Sequence, residues 1–349
     1  MLKKIFAALL CLSLLCFVGC GEKDVNSAPA DSSVPEKEPE PIIYVNPLTG
    51  VQDITDEDVV NRRPVAVMIN NVSVAQKVQT GLNLADIVYE TEVEGGITRL
   101  MAVFKDITKA KKFGTVRSAR YPYVDLAMGH DAIYVHHGQD PTYCKPHLKD
   151  TQAFTLDTNN AGERIKNGLA TEHTLYGHGD KLWEYFKTKT KLDLDLDRVV
   201  TWQNFASSDK SITFENAANT VNVPFSTAAK SVFKYDTESG KYVRYSKDTL
   251  RTDYVTGESE YFKNIFVLKA KISDYPDGYH RKVELTSGEG FYCVNGTYTP
   301  ILWSKGAASN SFKFTDTSGQ SLQVNQGNSW VCIADIDAKV SFEGISDDL

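Results

Sequence analysis

Past the first 18 residues, this 349-residue chain has no apolar run near the roughly 18 residues that a membrane-spanning helix needs. Basic charge is in deficit: 38 Lys and Arg face 45 Asp and Glu, a formal net charge of −7. A general nucleic-acid binder normally carries a basic surface, so no nucleic-acid partner is expected, which does not exclude a local basic pocket. Cysteine is sparse, at six residues, and no C-x-x-C occurs. H-x-H and H-E-x-x-H are also missing, so no metal is expected. There is no nucleophile elbow G-x-S-x-G, no P-loop and no dinucleotide fingerprint, and no cofactor is expected. No repeat of fixed period is present. With 42% hydrophobic and 24% charged residues, the chain is neither collagen-like, nor a coiled coil, nor wholly disordered. Its length allows two or three domains.

What is present begins with an address. Lys3 and Lys4 precede an apolar stretch, Ile5 to Val18, broken only by Ser13. This reads as a secretory signal peptide over residues 1–19, too short for a comfortable transmembrane helix. Phe17-Val18-Gly19-Cys20 resembles a bacterial lipobox, which implies lipidation of Cys20 and cleavage just before it. Phe17 stands where Leu is usual. Without residues 1–19, 36 basic groups face 45 acidic ones, and the net charge is −9. Such a body is not drawn to an anionic membrane and needs a covalent anchor to stay there. Residues 20–44 carry four Pro and six acidic side chains with almost nothing apolar, which predicts an extended tether. Of the remaining cysteines, Cys144, Cys293 and Cys332, the last two sit in strand-like segments. They are open to pairing or to lying buried as free thiols.

The body predicts an α+β fold: a mixed α/β domain with a β-hairpin core over 45–205, then a β-rich domain over 206–345. A short helix starts at Thr55-Asp56-Glu57-Asp58. Val65 to Ile69 is a strand buried on both faces. Asp86 to Val93 is a second strand, with Ile87, Tyr89, Thr91 and Val93 on one face and Val88, Glu90 and Glu92 on the other. Glu94 is expected to continue the acidic face. Gly95-Gly96 turns the chain into a strand from Ile97 to Asp106. Helices are expected at Tyr121 to Met128 and Asp180 to Lys189, and a strand at Ala132 to His137. From about residue 206 short strands and turns take over, including a hairpin closed by Asn295-Gly296 and a last strand at Trp330 to Ile336.

Several segments together resemble the YerB-like family of bacterial lipoproteins. They are Asn61-Arg62-Arg63-Pro64-Val65-Ala66-Val67-Met68-Ile69-Asn70-Asn71, Ala85-Asp86-Ile87-Val88-Tyr89-Glu90, Glu94-Gly95-Gly96-Ile97-Thr98-Arg99 and Val116-Arg117-Ser118-Ala119-Arg120. Trp303-Ser304-Lys305 and Gly327-Asn328-Ser329-Trp330 match that family's β-rich second region. The resemblance covers about residues 45 to 340. It implies a two-part domain and an extracytoplasmic location, anchored by lipid to the bacterial cell membrane. It brings no known reaction.

The candidate ligand-binding residues are Arg99, Arg117, Ser118, Arg120, His136, Gln139, Asp140 and His173. Arg forks hold phosphate or carboxylate through parallel hydrogen bonds. Arg99 shares a face with Met101 and Val103, so its charge is sheltered and needs an anion. Glu90 or Glu92 on the neighbouring strand, or an external group, would serve. Arg120 is the stronger expectation for an external anion, Arg117 the weaker. The acidic row Glu90, Glu92 and Glu94 could hold a cation, act as an acid–base pair, or pair with arginine. Six of seven His fall between 130 and 178. His136 and His137 face opposite ways on one strand, so only one can serve a given site. Gly138-Gln139-Asp140 follows that strand, and Glu172-His173 could form an oriented base.

Two functions compete. One is a non-catalytic, lipid-anchored protein that binds a cell-envelope polymer or envelope protein through an Arg-lined anion site. The other is an envelope enzyme acting on a phosphate-bearing, lipid-linked glycan. Asp86, the following strand and Arg117–Arg120 keep the order seen in LytR-type phosphotransferases, an analogy at the level of fold.

Overall fold

In the computed structural model, residues 42–344 are described, apart from 159 and 198. The signal segment 1–19, Cys20 and the tether as far as residue 41 lie outside them. Residue 44, expected to belong to the tether, is in a strand. Tyr44 pairs with Ile54 in a small ladder, and its hydroxyl donates to Glu57 at 3.3 Å. Ile42, Ile43 and Tyr44 are the first apolar run after the acidic stretch, and pairing starts at the last of them.

Helix α1 is Glu57–Asn61, with Asp56 accepting from the Asp58 N–H as its cap. Strand β1, Val65–Asn70, is buried along its whole length. A single turn, α2, covers Ser73–Gln76. Strands β2, Ile87–Glu94, and β3, Ile97–Phe104, form the expected hairpin. Gly95 and Gly96 both take positive φ, +56° and +75°, as a two-residue turn of this hand requires. Helix α3 is Tyr121–Gly129, with Pro122 in its first turn. Strand β4 is Ile133–His136, and helix α4 is Gly179–Lys187. Then come β5, Thr220–Pro224; β6, Lys230–Asp236; β7, Lys241–Ser246; β8, Asn264–Ala270; β9, Ser287–Val294; β10, Thr297–Ser304; and β11, Ser329–Asp335.

An eleven-stranded sheet runs in the order Asn216–Ala217, β10, β9, β8, β11, β2, β3, β1, β4, Ala153–Thr155, with Lys313–Thr315 added to β10. The last long strand of the chain, β11, lies parallel between β8 and β2. The β-rich part and the mixed part, divided in the sequence near residue 205, therefore share one sheet. A second sheet of six strands is built around β5, β6 and β7.

The period-2 pattern decides which side chain enters which core. Val65, Val67 and Ile69 of β1 pack with Val88, Leu100 and Ala102 on one face, against Trp183 and Phe186 of α4 and Phe233 of β6. Ala66 and Met68 face the other way, with Tyr89, Met101 and Tyr123 of α3. Fully burying one such side chain contributes about 1.5–3 kcal/mol, so a one-residue slip of register would expose a whole row.

One expected alternation fails. Glu92 pairs with Thr98 and Glu94 with Ile97, so Val93 is an extra residue in β2. This bulge turns Glu94 onto the face of Arg99, away from Glu90 and Glu92. Cys293 and Cys332 are free, buried thiols, held apart by β8, whose Ile265 pairs with Cys293 on one side and Trp330 on the other.

Candidate functional site

Strands β1, β2, β4, β8 and β11 all finish at the same edge of the central sheet, and β3 starts there. Ligands of open sheets with parallel strands gather outside such carboxyl ends. Here that edge carries Asn70, Glu94, Arg99 and His136. The segment 115–120 comes back along it. Val116 bridges to Ile69, the Arg117 N–H donates to Met68 O at 3.0 Å, and the Ala119 N–H donates to Gly138 O at 2.9 Å. These backbone bonds bring Arg117 and Arg120 over the strand ends. Tyr123 fixes Arg99 from below: its hydroxyl donates to Arg99 O and accepts from the Thr91 N–H.

Glu94 is the centre of the cluster. Arg120 grips it with two bonds, Nε to Oε2 at 2.7 Å and Nη2 to Oε1 at 2.6 Å. Arg99 Nη2 donates to the same Oε1 at 2.7 Å. Glu94 is 4% exposed and Arg99 3%. The sheltered arginine thus takes an internal carboxylate, though a different one from those expected, because the bulge redirects Glu94. Glu92 binds Arg281 at 2.7 Å. Glu90 lies on the opposite face, where Asn71, Thr98, Ser231 and Trp330 donate to it. The three carboxylates do not form one site.

Arg120 is therefore the committed arginine and Arg117 the freer one, the reverse of the order expected from sequence. Arg117 reaches only Glu172, at 3.2 Å to its carbonyl and 3.5 Å to its half-exposed carboxylate. Among the described residues, Arg99 Nε and Nη1 and Arg117 Nε are buried without a hydrogen-bond partner. Three guanidinium groups thus bond one buried carboxylate and one distant exposed one, with buried Asp140 acting on Arg120 by charge alone. Burial pushes the Glu94 carboxyl up, but the bonds and charges of Arg120 and Arg99 outweigh it and hold it below its ordinary value. Burial and the charge of Arg120 lower Arg99, whereas the bond to Glu94 raises Arg120 against its own burial. Burial also lowers Arg117, with Glu172 opposing.

The other expected residues are positioned around this cluster in different roles. Ser118 packs on Gly138, whose φ of +76° and missing Cβ permit the approach. Gln139 is bridged to Ala119. Asp140 points inward, and its carboxylate accepts from the N–H groups of Thr142, Tyr143 and Cys144. Burial raises Asp140, but those bonds prevail and lower it, so it caps a turn and offers no free base. His136 Nδ1 bonds Gly138 O at 2.8 Å, and burial lowers its pKa. His173 Nδ1 meets the Asn70 side chain at 2.8 Å, with Glu172 3.4 Å from its Nε2. Burial lowers His173 as well. The other histidines of the 130–178 stretch scatter: His130 to Tyr89, His137 to Leu156 O, His147 to Asp125, His178 to Glu163. Among the described residues, no group of three or more His, Cys, Asp or Glu is arranged to hold a metal ion. Asn70 was missed in the sequence, although two Asn directly after a wholly apolar strand mark the point where it leaves the core.

Residues 48–192 match the family described as protein of unknown function (DUF3048), N-terminal domain, and residues 221–331 match the DUF3048 C-terminal domain. The chain belongs to the DUF3048 family. It is 30% identical over 346 residues to "Putative lipoprotein YerB" of Bacillus subtilis (strain 168), covering 94% of this chain and 95% of that protein. The crystal structure of the YerB protein from Bacillus subtilis superposes with a TM-score of 0.73 at 28% identity, over 85% of this chain and 99% of that one. Both DUF3048 segments contribute to the central sheet, since β2 lies in the first and β8, β9 and β10 lie in the second, where β11 also begins. Asp86, the acidic member of the phosphotransferase order, starts β2, while the arginines stand at its far end. Eight residue steps at ~3.3 Å separate Asp86 and Glu94, about 26 Å. Asp86 instead accepts from Asn46 and the Lys105 N–H, and burial pushes it up to about 6. Asp86 therefore lies outside the arginine cluster.

Proposed function

We propose that this chain is an extracytoplasmic lipoprotein, held to the bacterial cell membrane through Cys20, that binds a phosphate- or carboxylate-bearing polymer or protein of the cell envelope. The binding group is Arg117, backed by Arg99 and Arg120. One observation carries the reading: three clustered guanidinium groups bond one buried carboxylate, Glu94, and one exposed one, Glu172, and among the described residues Arg99 Nε and Nη1 and Arg117 Nε have no hydrogen-bond partner. Buried donors normally find acceptors, so an orphaned set beside an accessible arginine supports an incoming anion. The relative's name supports the anchor, and the lipobox-like Val18-Gly19-Cys20 supplies its chemistry.

Thermal unfolding in phosphate against chloride, at constant ionic strength, tests the site. Phosphate should raise the melting temperature of the parent, and Arg117→Ala should abolish that rise. Because the Arg117–Glu172 contact is long and partly exposed, the variant should lose less than about 1 kcal/mol without ligand. A parent that phosphate does not shift refutes the anion site. Cys20→Ala should move the protein out of the membrane fraction, and a variant that stays there refutes the anchor.

A further inference from the structure

On the opposite face of the same strand ends lies a cavity of about 500 Å³. One wall is Asn71–Ser73, Gln76 and Lys77 with Thr98, from the first family segment; the other is Ala228–Lys230 with Ser246, Lys247, Thr249 and Arg251, from the second. Four cations line it: Lys77, Lys230, Lys247 and Arg251. The backbone forces them together. Lys247 sits in a tight turn with φ of +53°, and its N–H donates to Lys230 O at 2.9 Å. Arg251 Nη2 donates to Gln76 O, next to Lys77.

None of the four has an ion-pair partner among the described residues. Arg251 is 6% exposed, and its Nε is buried with no hydrogen-bond partner among the described residues. Two carboxylates are near. Glu260 pairs through Oε2 with the fully buried Arg244 at 2.8 Å; its Oε1 is buried without a hydrogen-bond partner among the described residues, and its charge acts on Arg251 from beyond ion-pair distance. Glu90, the one acidic lining residue, takes Asn71 and Thr98 on Oε1 and Ser231 and Trp330 on Oε2. Four positive charges thus line the cavity with one saturated carboxylate, Glu90, while Glu260, shared with Arg244, acts on Arg251 from outside the lining, in a protein whose net charge is −7. Like charges gathered in a concave, partly dry site repel one another and raise the local concentration of counter-ions.

We infer that this cavity is a second anion site, distinct from the arginine cluster, and that its ligand is a compact, multiply charged phosphate compound. A singly charged anion would leave most of the charge unanswered. A pocket of a few hundred Å³ with convergent charged groups is the size that small ligands occupy. The three lysines are flexible point charges that follow a phosphate chain, and Arg251 supplies the fixed fork at the floor.

Calorimetric titration of the whole protein with inorganic pyrophosphate, at fixed ionic strength, tests this. Pyrophosphate should bind the parent and the Arg117→Ala variant alike. The triple variant Lys77→Gln, Lys230→Gln, Lys247→Gln should bind about a hundredfold more weakly, since several charge-assisted bonds are lost together. Its melting curve checks that it folds. No binding to the parent, or full binding to the triple variant, overturns the assignment. Loss of pyrophosphate binding in Arg117→Ala alone would transfer it to the arginine cluster and overturn it too. Sulfate binding as tightly as pyrophosphate would reduce the cavity to general charge attraction and likewise overturn the assignment. Because this site does not use Arg117, it can fail while the proposed envelope-binding site stands, and the reverse.

Discussion

Two groups of cations flank one edge of the central sheet, and they differ in what answers their charge. Arg99 and Arg120 close on Glu94, a carboxylate brought to them by one extra residue in β2. Lys77, Lys230, Lys247 and Arg251 share a cavity with Glu90, a carboxylate whose oxygens are filled by neutral donors. The first cluster is built into the fold and the second is open to solvent. Glu90 and Glu94 are four residues apart on one strand, so simple alternation would give them the same environment. Position relative to the bulge decides otherwise. A buried carboxylate is therefore poor evidence for a site until its donors have been counted.

The largest expected effect comes from removing the shared carboxylate. Glu94→Gln leaves two buried guanidinium groups facing each other. Stranding a buried charge costs about 3–5 kcal/mol, which corresponds to a fall of about 6–15 °C in melting temperature. The pH dependence has a definite sign. The folded-state pKa of Glu94 lies below its ordinary value of 4.5, so its contribution is complete above that pH and is lost as pH falls through the folded value. The gap between parent and variant should therefore narrow in acid below about pH 4.5. A gap unchanged by acid would mean that neighbouring packing, and no charge, sets the loss.

Next in size is the contrast between the two arginines. Arg120→Met removes both bonds of the fork and should cost about 3 kcal/mol, because Glu94 keeps only one donor. Arg99→Met should cost about 1 kcal/mol or less, since it also removes two buried N–H groups that lack partners. Urea unfolding of the two variants ranks them. Equal losses would mean that the carboxylate needs both arginines, and the cluster would hold less surplus charge for an external anion.

Much of the framework was legible in the sequence. The Gly95-Gly96 and Asn295-Gly296 turns, the doubly buried β1, the caps and the amphipathic α4 follow from local rules and appear where expected. The site was legible in membership but not in partnership. Arg99, Arg117 and Arg120 do converge, yet their carboxylate was misplaced because a bulge has no fixed sequence signal. The seam cavity could not be read at all. Its cations come from positions 77, 230, 247 and 251, and the strand pairing that joins β11 to β2 brings the two walls together. Nothing local in a lysine after a one-turn helix announces such a neighbour.

The smallest effect separates the two clusters most sharply, because its sign differs. Removing a cation from the Glu94 cluster strands a partner, so it can only destabilise. Removing Lys230 or Lys247 strands nothing: neither has an ion-pair partner among the described residues, and each repels the other cations of the cavity. Lys230→Gln should therefore stabilise the ligand-free protein by a few tenths of a kcal/mol, the scale of exposed charge interactions. Salt gives the control. Raising ionic strength from about 0.01 M to 0.15 M shortens the screening length from about 30 Å to 8 Å. The parent should gain stability over that range and the variant should gain less, because part of the repulsion is already gone. The Arg120→Met variant should show no such convergence, since its loss arises in a buried pair that salt screens poorly. Melting curves at the two salt concentrations decide the matter. If Lys230→Gln proves destabilising and insensitive to salt, the lysine has a structural partner, and its charge is committed to the fold as that of Arg120 is to Glu94.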